Sequence, residues 1–394
     1  MDIKLFRQET RAWLEENCPQ EMRLGRVHFE DGAEVYGSEA GKLWQARMAE
    51  KGWTVPLWEK RYGGAALSTE ENNVLLEEMA RINALPGTTG MGLWMLGPLL
   101  LEIGTEEQRM RHLPPVARGE VGWCQGYSEP GAGSDLAGLQ TRAVLEGDSF
   151  IINGQKVWTG GANWSDWMFA LVRTDPDVPK HEGISFVLLD LHQPGVTVKP
   201  IRLISGSSPF CEVFFDQAVA RRDDLVGELN KGWSVAKRLL QYERGPIDSG
   251  AGQKQEEGVS PLNPLAALAK RYVGEADGKI ADHELRDRIL RHNMRKHAIQ
   301  STGRLVQETA EAGKAPGAVT SLFKYLSSNQ TRAAAELTSY AMGAQGAGWE
   351  GASFSDEELL ATRSWLRERA PTIHGGSNEI QLNIIAKRIL GLPD

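Results

Sequence analysis

Residues 123–139 read WCQGYSEPGAGSDLAGL, a strand-like run that opens into a glycine-rich loop containing serine and aspartate. Gly131 and Gly133 allow a close turn there, because glycine adopts backbone conformations that other residues avoid. The hydroxyls of Ser128 and Ser134 can donate hydrogen bonds to ring oxygens or to a thioester ligand. The pattern predicts a loop whose backbone amides approach an anion, a nucleotide or a flavin. A surface turn between two strands is the alternative, because one glycine-rich loop is weak evidence.

Length and composition favour a large globular protein. The chain has 394 residues, of which 41% are hydrophobic and 24% charged, so two or three packed units are expected. Its net charge of −8, with basic residues concentrated only around 284–295, argues against a nucleic-acid groove. The apolar segment 91–103 is shorter than the roughly 20 residues that a membrane span needs, and it predicts a buried helix. No secretory-signal pattern follows Met1, so we expect a cytoplasmic protein.

Cysteine and histidine positions give no pattern typical of a disulfide framework or a metal site. Cys18, Cys124 and Cys211 are odd in number and far apart. The eight histidines show neither an HExxH motif nor a paired spacing. We therefore expect a reducing compartment and no bound metal.

Hydrophobic periodicity divides the chain into helices, strands and helices again. In residues 1–120, two helix faces are marked by Ile3, Phe6, Thr10, Trp13 and Leu14, and by Asn73, Leu75, Leu76 and Met79. From 121 the predicted strands are 149–152, 156–158, 168–173, 184–189, 196–198 and 212–215, with Asn153-Gly154 as a turn between the first two. From 232 the predicted helices include Val235, Leu239 and Leu240, and then 262–273, 285–306, 321–341 and 380–390. Residues 246–262, rich in glycine, proline and serine, predict an exposed loop.

Five stretches in order carry a family resemblance. They are GTEEQRMRHLPPVARGE at 104–120, SEPGAGSDLAG at 128–138, INGQKVWTGGANWSDW at 152–167, DDLVGELNKGWSVAK at 223–237 and IHGGSNEIQLNIIAKRILGLP at 373–393. Together they resemble the acyl-CoA dehydrogenases over nearly the whole chain. The resemblance implies an α+β multidomain fold: a helical N-domain (1–120), a central β-sandwich-like domain (121–231) and a C-terminal four-helix bundle (232–394).

The resemblance also implies a cofactor, partners and contact residues. FAD would lie at the domain junction and across a subunit boundary, in a homodimer or homotetramer, with a heteromer left open. An electron-transfer flavoprotein would accept the electrons from an acyl-CoA substrate in lipid catabolism such as β-oxidation. Cofactor contacts fall to Gln125, Tyr127, Ser128, Trp158, Thr159, Gly343, Ser377 and Glu379, and substrate contacts to Ser134, Arg244 and Gly375. Trp158 would pack against the flavin, and a tryptophan that fills the β-domain core is the alternative. Lys270 and Arg271 lie nearest to where the family binds the FAD diphosphate.

The catalytic base is the decisive position, because removal of an α-proton from a thioester needs a carboxylate in a dry pocket. Many family members carry a glutamate where this chain has Gly375. An isovaleryl-CoA-dehydrogenase-like branch instead places it on the helix after the β domain, in a segment similar to LQYERG at 240–245. The resemblance thus implies Glu243 as the base, with a solvated helix carboxylate as the alternative. Arg244 would tune its charge, and His374 is interpreted as a supporting residue more than a flavin contact.

Three function hypotheses follow. The first is an FAD-dependent acyl-CoA dehydrogenase with Glu243 as base. The second is an acyl-CoA oxidase on the same scaffold, and the third is a non-catalytic or half-site subunit of a heteromeric enzyme, suggested by the glycine at 375. Because the 246–262 loop directly follows the predicted base, we expect it to admit a branched, cyclic or otherwise bulky acyl group.

Overall fold

The computed structural model describes residues 2–25, 32–243, 264–311 and 319–393, with backbone only for Gln241, Glu243 and 307–311. The chain divides into two compact units, Met1–Ile201 with Ser208–Gly245 and Arg202–Ser207 with Pro246–Asp394. The predicted order of helices, strands and helices is confirmed. The domain boundaries at 120 and 231 stay predictions.

The first unit begins with a series of helices, four of which are capped at their starts by the side chains of Asp2, Ser38, Ser68 and Thr105. The helices are α1 (Ile3–Asn17), α2 (Gly32–Gly37), α3 (Glu39–Glu50), α4 (Thr69–Arg81), the π-helix Gly92–Leu96, α5 (Gly97–Ile103) and α6 (Glu106–Ala117). Ser68 and Glu71 form a capping box at the start of α4, and Thr105 and Gln108 form one at α6. The predicted buried helix at 91–103 therefore starts with a π-turn, a feature often found near functional sites.

A seven-stranded mixed sheet forms the centre of the first unit. Its strands are β1 (Trp123–Gly126), β2 (Arg142–Glu146), β3 (Ser149–Gly160), β4 (Trp167–Arg173), β5 (Ile184–Asp190), β6 (Val196–Ile201) and β7 (Phe210–Arg221). The order is β1-β4-β2-β3-β7-β6, and β5 also pairs with β4. Side chains alternate across the sheet. Phe169 and Leu171 thus join one buried cluster with α7 (Gly232–Glu243), while Met168 and Ala170 join another.

The second unit is helical apart from one short hairpin. Its elements are α8 (Pro264–Val273), β8 (Glu275–Ala276), β9 (Lys279–Ile280), α9 (His283–Glu311), α10 (Val319–Met342), α11 (Asp356–Arg367) and α12 (Asn378–Arg388). Helix α10 packs against α8, α9, α11 and α12. Within the described residues of both units, no helix is long and apolar enough to cross a membrane.

Two sequence predictions about local structure are wrong. Asn153-Gly154 is not a turn but lies inside β3, where Gly154 has a φ of 143° and forms part of a bulge. The hairpin turn is instead Gly147-Asp148, because Glu146 pairs with Ser149. On α4, Asn73 and Leu76 are exposed. The buried face consists of Val74, Leu75, Glu78 and Met79, because ion pairs allow a carboxylate to be buried there.

Candidate functional site

The glycine-rich loop, defined here as residues 127–139, starts at the end of β1 and runs beside β3. The Ser128 carbonyl accepts a hydrogen bond from the backbone amide of Val157 at 2.9 Å. Glu129 and Ala132 exchange backbone hydrogen bonds of 3.0 and 3.1 Å. The start of the loop is thereby fixed next to the β3 segment that carries Trp158 and Thr159.

A buried ion pair lies under this loop and was not predicted from the sequence. Lys156 is 0% exposed, and its Nζ donates to Glu129 Oε1 at 2.8 Å and to the Tyr127 carbonyl at 3.2 Å. The Glu129 carboxylate also accepts from the backbone amides of Gln140 at 2.6 Å and Thr141 at 2.9 Å. Burial lowers the pKa of Lys156 to about 8, and Glu129 opposes that shift. Burial also acts to raise the pKa of Glu129, but Lys156 and the donated hydrogen bonds bring it below its usual value.

Trp123 Nε1 on β1 is a buried polar atom near the loop without a hydrogen-bond partner among the described residues, and two more lie at positions expected to contact FAD. They are Gln125 Nε2 on β1 and Thr159 Oγ1 on β3. Leaving such an atom unsatisfied costs about 1–3 kcal/mol. Both residues belong to segments expected to contact FAD, whose ring edge offers hydrogen-bond donors and acceptors. The donor and hydroxyl present therefore fit a flavin.

Trp158 does not fill the β-domain core, so that alternative is wrong. Its side chain is 57% exposed, and its ring meets Phe210 edge-to-face at 6.4 Å between centroids. The backbone has a φ of 60°, uncommon for a large residue, at a bulge between Lys156 and Thr159. The bulge thus presents the indole on the surface beside the buried Thr159.

The middle of the loop contains a close turn at Pro130-Gly131, where Glu129 and Ala132 form an antiparallel bridge, but no neighbouring atom forces a glycine there. Gly131, Gly133 and Ser134 are exposed. A Cβ at either glycine would meet no atom within 4 Å, and neither glycine has a left-handed φ. The fold of this chain therefore does not itself require glycine at 131 or 133.

Helix α7 is described as far as Glu243, and two side chains near that point bind α5. The Tyr242 hydroxyl donates to Glu102 Oε2 at 2.5 Å, and Arg238 Nε donates to the same carboxylate at 2.7 and 3.0 Å. The hydrogen bond from Tyr242, followed by that from Arg238, lowers the pKa of Glu102. The side chain of Glu243 and the whole of Arg244 lie outside the described residues. The backbone position of the expected base is thus fixed by three named side chains.

The remaining expected cofactor residues lie in two segments of the second unit. Ser377 caps α12 by accepting from the Ile380 amide, and Glu379 is exposed in the first turn. Its own backbone amide and Ser377 lower the pKa of Glu379. His374 is exposed, and Gly375 and Gly376 have φ values of 65° and 86°. Gly343, with a φ of 58°, starts the 3₁₀ turn Gly343–Ala347.

Sequence reasoning missed two glutamines in these segments. Gln381 is fully buried, and its Nε2 donates to the Gly376 carbonyl at 3.2 Å. Gln381 Oε1 and Gln345 Oε1 are buried without a partner in the described part of the chain. The sequence could have indicated Gln381, because it lies on the buried face of a helix that directly follows Gly375-Gly376-Ser377.

The two cations considered for the FAD diphosphate already have local partners. Lys270 donates to the Gly278 carbonyl at 2.7 Å and pairs with Glu275 at 3.1 Å. Arg271 pairs with Glu357 at 2.6 Å. Neither contact requires a ligand. Across the described residues there is also no cluster of three or more His, Cys, Asp or Glu residues that could hold a metal.

Comparison with known proteins identifies the class. The N-terminal, middle and C-terminal domains of acyl-CoA dehydrogenases match residues 2–120, 124–218 and 230–390. An acyl-CoA dehydrogenase of Mycobacterium tuberculosis, IpdE1, is 39% identical over all of this chain and 98% of its own length. IpdE1 of Mycolicibacterium smegmatis is 37% identical, with 100% and 98% covered. The chain belongs to the acyl-CoA dehydrogenase family, whose members are flavoprotein oxidoreductases that generally use FAD.

Solved structures show the same fold. The Tcur3481-Tcur3483 steroid ACAD is 28% identical with a TM-score of 0.75, covering 99% of this chain and 97% of that one. The ChsE4-ChsE5 complex of Mycobacterium tuberculosis is 25% identical with a TM-score of 0.70, covering 100% and 98%. The predicted three-part architecture, with helical N- and C-terminal parts and a central sheet domain along the chain, is confirmed.

Proposed function

We propose that this chain catalyses FAD-dependent α,β-dehydrogenation of an acyl-CoA thioester, with Glu243 as the base. The observation that carries the proposal is the pair of buried, unpartnered polar atoms at Gln125 and Thr159, in segments that resemble the family's flavin contacts. FAD held by these segments would supply the acceptor for the β-hydride. The Glu243 carboxylate takes the α-proton, and the Cα–Cβ bond becomes a double bond.

Other residues of the chain would hold the reactants. Gln125, Ser128 and Thr159 would bind the flavin ring edge, Trp158 would cover it, and Ser134 would approach the CoA moiety. Tyr127, which is buried, would also belong to this flavin-binding segment. In the second unit, Gly343, Ser377 and Glu379 would contact FAD.

Two observations support Glu243 over position 375 as the base. Gly375 carries no side chain, and its left-handed φ of 65° disfavours a glutamate there. Glu243 lies on α7 directly after Tyr242, and Tyr242 and Arg238 are both held by Glu102. A fixed backbone orients a base with little loss of entropy.

The experiment is an anaerobic titration of the flavin-loaded chain with acyl-CoA thioesters, followed by flavin bleaching. Glu243→Gln should bind thioester but bleach about a thousandfold more slowly, since loss of a general base typically costs 10²–10⁴-fold. Glu107→Gln, an exposed glutamate on α6, is the control and should bleach like wild type. Bleaching by Glu243→Gln at the wild-type rate would place the base elsewhere. Stoichiometric peroxide release in air would favour the oxidase over transfer to an electron-transfer flavoprotein.

A second candidate is a subunit of a heteromeric acyl-CoA dehydrogenase. Two similar structures carry paired subunit names, Tcur3481-Tcur3483 and ChsE4-ChsE5. The chain should be purified alone and then co-expressed with a paralogous chain. Flavin and activity in the lone homo-oligomer would refute the heteromer, and their appearance only with the second chain would support it.

For the substrate we propose a bulky, ring-bearing acyl-CoA of the steroid type. One similar protein is named a steroid ACAD, and the sequence predicts that a loop at 246–262, outside the described residues, follows the base. A panel of linear and ring-bearing thioesters tests this proposal. Faster bleaching by linear chains would contradict it.

A further inference from the structure

Buried cations hold the glycine-rich loop at both of its ends. Lys156 on β3 contacts the start of the loop through the Tyr127 carbonyl and Glu129. Arg173 on β4, which is 7% exposed, donates to the Ala137 carbonyl at 2.6 Å and to the Leu139 carbonyl at 3.3 Å. Arg173 Nε also donates to the Leu139 carbonyl at 3.4 Å, and its guanidinium donates to the Lys180 carbonyl at 2.7 Å. Both cations lie on strands of one sheet. Lys156 binds the first residues of the loop, and Arg173 binds its last residues.

Such burial is costly unless the cation is fully bonded. Lys156 has a carboxylate and a carbonyl, and Arg173 has three carbonyls, so each cation depends on the loop for its partners. The loop depends equally on them, because the Tyr127, Ala137 and Leu139 carbonyls face the protein interior. Between these ends, Gly131, Gly133 and Ser134 are exposed. The arrangement is a short exposed arc with two fixed ends.

We propose that Lys156 and Arg173 are positioning residues that clamp the glycine-rich loop against the sheet, so that its exposed arc and Gln125 are aligned for the flavin and the CoA thioester. The flavin part of this inference rests on the proposed function. The mechanical part, that the two cations hold the loop, stands on the contacts alone.

The electrostatics support a clamp that needs both charges of the buried pair. Burial lowers the pKa of Arg173, and it lowers the pKa of Lys156 to about 8. The charge of Glu129 opposes both shifts, whereas the charge of Arg173 adds to the lowering of the Lys156 pKa. Without the Glu129 charge, the Lys156 amine would therefore lose its proton more readily. Glu129→Gln should weaken the clamp even though Lys156 remains.

The experiment measures backbone amide exchange in the peptide 126–140 and FAD affinity in parallel, on the full chain. Lys156→Met, Arg173→Met and Glu129→Gln should each speed exchange of this peptide and weaken FAD binding at least tenfold. Arg173→Lys keeps the charge, but its amine reaches fewer carbonyls. Its loop exchange rate and its FAD affinity should both lie between those of wild type and Arg173→Met. Glu78→Gln is the matched control, because Glu78 is a buried carboxylate bonded to three arginines on α1 and α4. It should lower stability without changing exchange of the loop peptide or FAD affinity.

The double variant Lys156→Met with Glu129→Gln separates a clamp from simple burial of a charge. It leaves no unpaired ion, so folding stability should recover while loop exchange stays fast and FAD binding stays weak. If the double variant regained wild-type loop exchange and wild-type FAD affinity, the clamp would be overturned. Wild-type loop exchange in Lys156→Met and Arg173→Met would also overturn it. A wild-type chain that binds no FAD, alone or with a second subunit, would refute the proposed function, and loop exchange would still decide the clamp.

Discussion

The sheet-bearing unit and the helical unit differ in how completely they bury their apolar side chains. The first unit contains three core clusters, one on each side of the sheet and one among the N-terminal helices around Trp44 and Leu75. Among the described residues of the second unit there is one small cluster, with Ala269, Ile280, Leu285, Ile289, Leu337 and Ala341 as its buried members. Because apolar burial is the main favourable term in folding, the first unit has the larger reserve of stability.

The second unit also exposes large apolar side chains. Leu290, Met294, Leu360, Ile373, Leu382 and Leu390 are all more than a third exposed, Met294 by 63%. Exposed apolar surface of this kind marks interaction sites when it is contiguous. Leu290 and Met294 are four residues apart and share one face of α9. The first unit exposes large apolar side chains as well, among them Leu57 and Met110, so the units differ in the size of their described cores. We infer that the Leu290 and Met294 face of α9 contacts another subunit.

The largest expected effect comes from the sheet core. Phe186 is fully buried and stacks on Phe169 at 6.0 Å. Phe186→Ala should cost about 4 kcal/mol of unfolding free energy, because it removes a buried ring and leaves a cavity. Leu337→Ala, in the smaller core, should cost about 2 kcal/mol. Leu188→Ala is the matched change in the sheet core, because Leu188 is also a buried leucine, and it should cost about 4 kcal/mol. Chemical denaturation measures these costs, and equal costs for the two leucines would contradict the difference between the units.

The next effect concerns association. Leu290→Lys with Met294→Lys should weaken self-association or pairing with a second subunit by about tenfold or more, because two charges would enter an apolar contact. Unfolding of the isolated chain should change little, since both positions are already exposed. Leu76→Lys on α4, a leucine that is also half exposed, is the control. Sedimentation equilibrium measures the masses, and an unaltered association constant would remove α9 from the interface.

The sequence predicted the order of elements because periodicity and turn residues are local signals. The glycine-rich loop after β1 and the helix ending at Glu243 stand where the motifs indicated. The prediction of a turn at Asn153-Gly154 was wrong because this dipeptide fits a β-bulge as well as it fits a tight turn. The bulge wins here because β3 continues to pair with β7 on both sides of it.

The buried contacts of the site could not be predicted in the same way. Glu129 and Lys156 are far apart in sequence, and only the sheet brings them to 2.8 Å. Tyr242 and Glu102 meet because α7 packs near α5, a pairing that no short motif encodes. By contrast, the exposure of Trp158 follows from one positive φ, which sequence spacing does not reveal.

A smaller effect is expected from the buried carboxylate of the N-terminal helices. Arg11 contributes most to lowering the pKa of Glu78 to about 2 from 4.5, and Arg81 and Arg7 add to it. Since the folded pKa lies below the unfolded one, this stabilisation is present above about pH 4.5 and is lost as the pH falls towards 2. Glu78→Gln should cost about 1–2 kcal/mol at pH 7, a modest value because the arginines are partly exposed.

Acid titration of unfolding free energy tests this effect. Wild type should lose stability between about pH 4.5 and 2 in the first unit, and Glu78→Gln should lose less over the same interval. Glu70→Gln, an exposed glutamate on the same helix, should follow wild type. Parallel acid curves for wild type and Glu78→Gln would show that the charge of Glu78 does not stabilise the first unit.

The smallest effect on stability is expected in the glycine-rich loop. A substitution there should change ligand binding more than it changes the free energy of unfolding. Gly133→Ala should change the unfolding free energy by less than about 0.5 kcal/mol, because a Cβ there meets no atom within 4 Å. Gly154→Ala is the contrast, since its Cβ would lie 2.7 Å from the Thr141 Cα at a φ of 143°, and it should cost about 2 kcal/mol. If the open space at Gly133 is where cofactor or thioester approaches the backbone, Gly133→Ala should still weaken FAD or acyl-CoA binding severalfold. Unchanged binding of both ligands would mean that the exposed arc does not contact them.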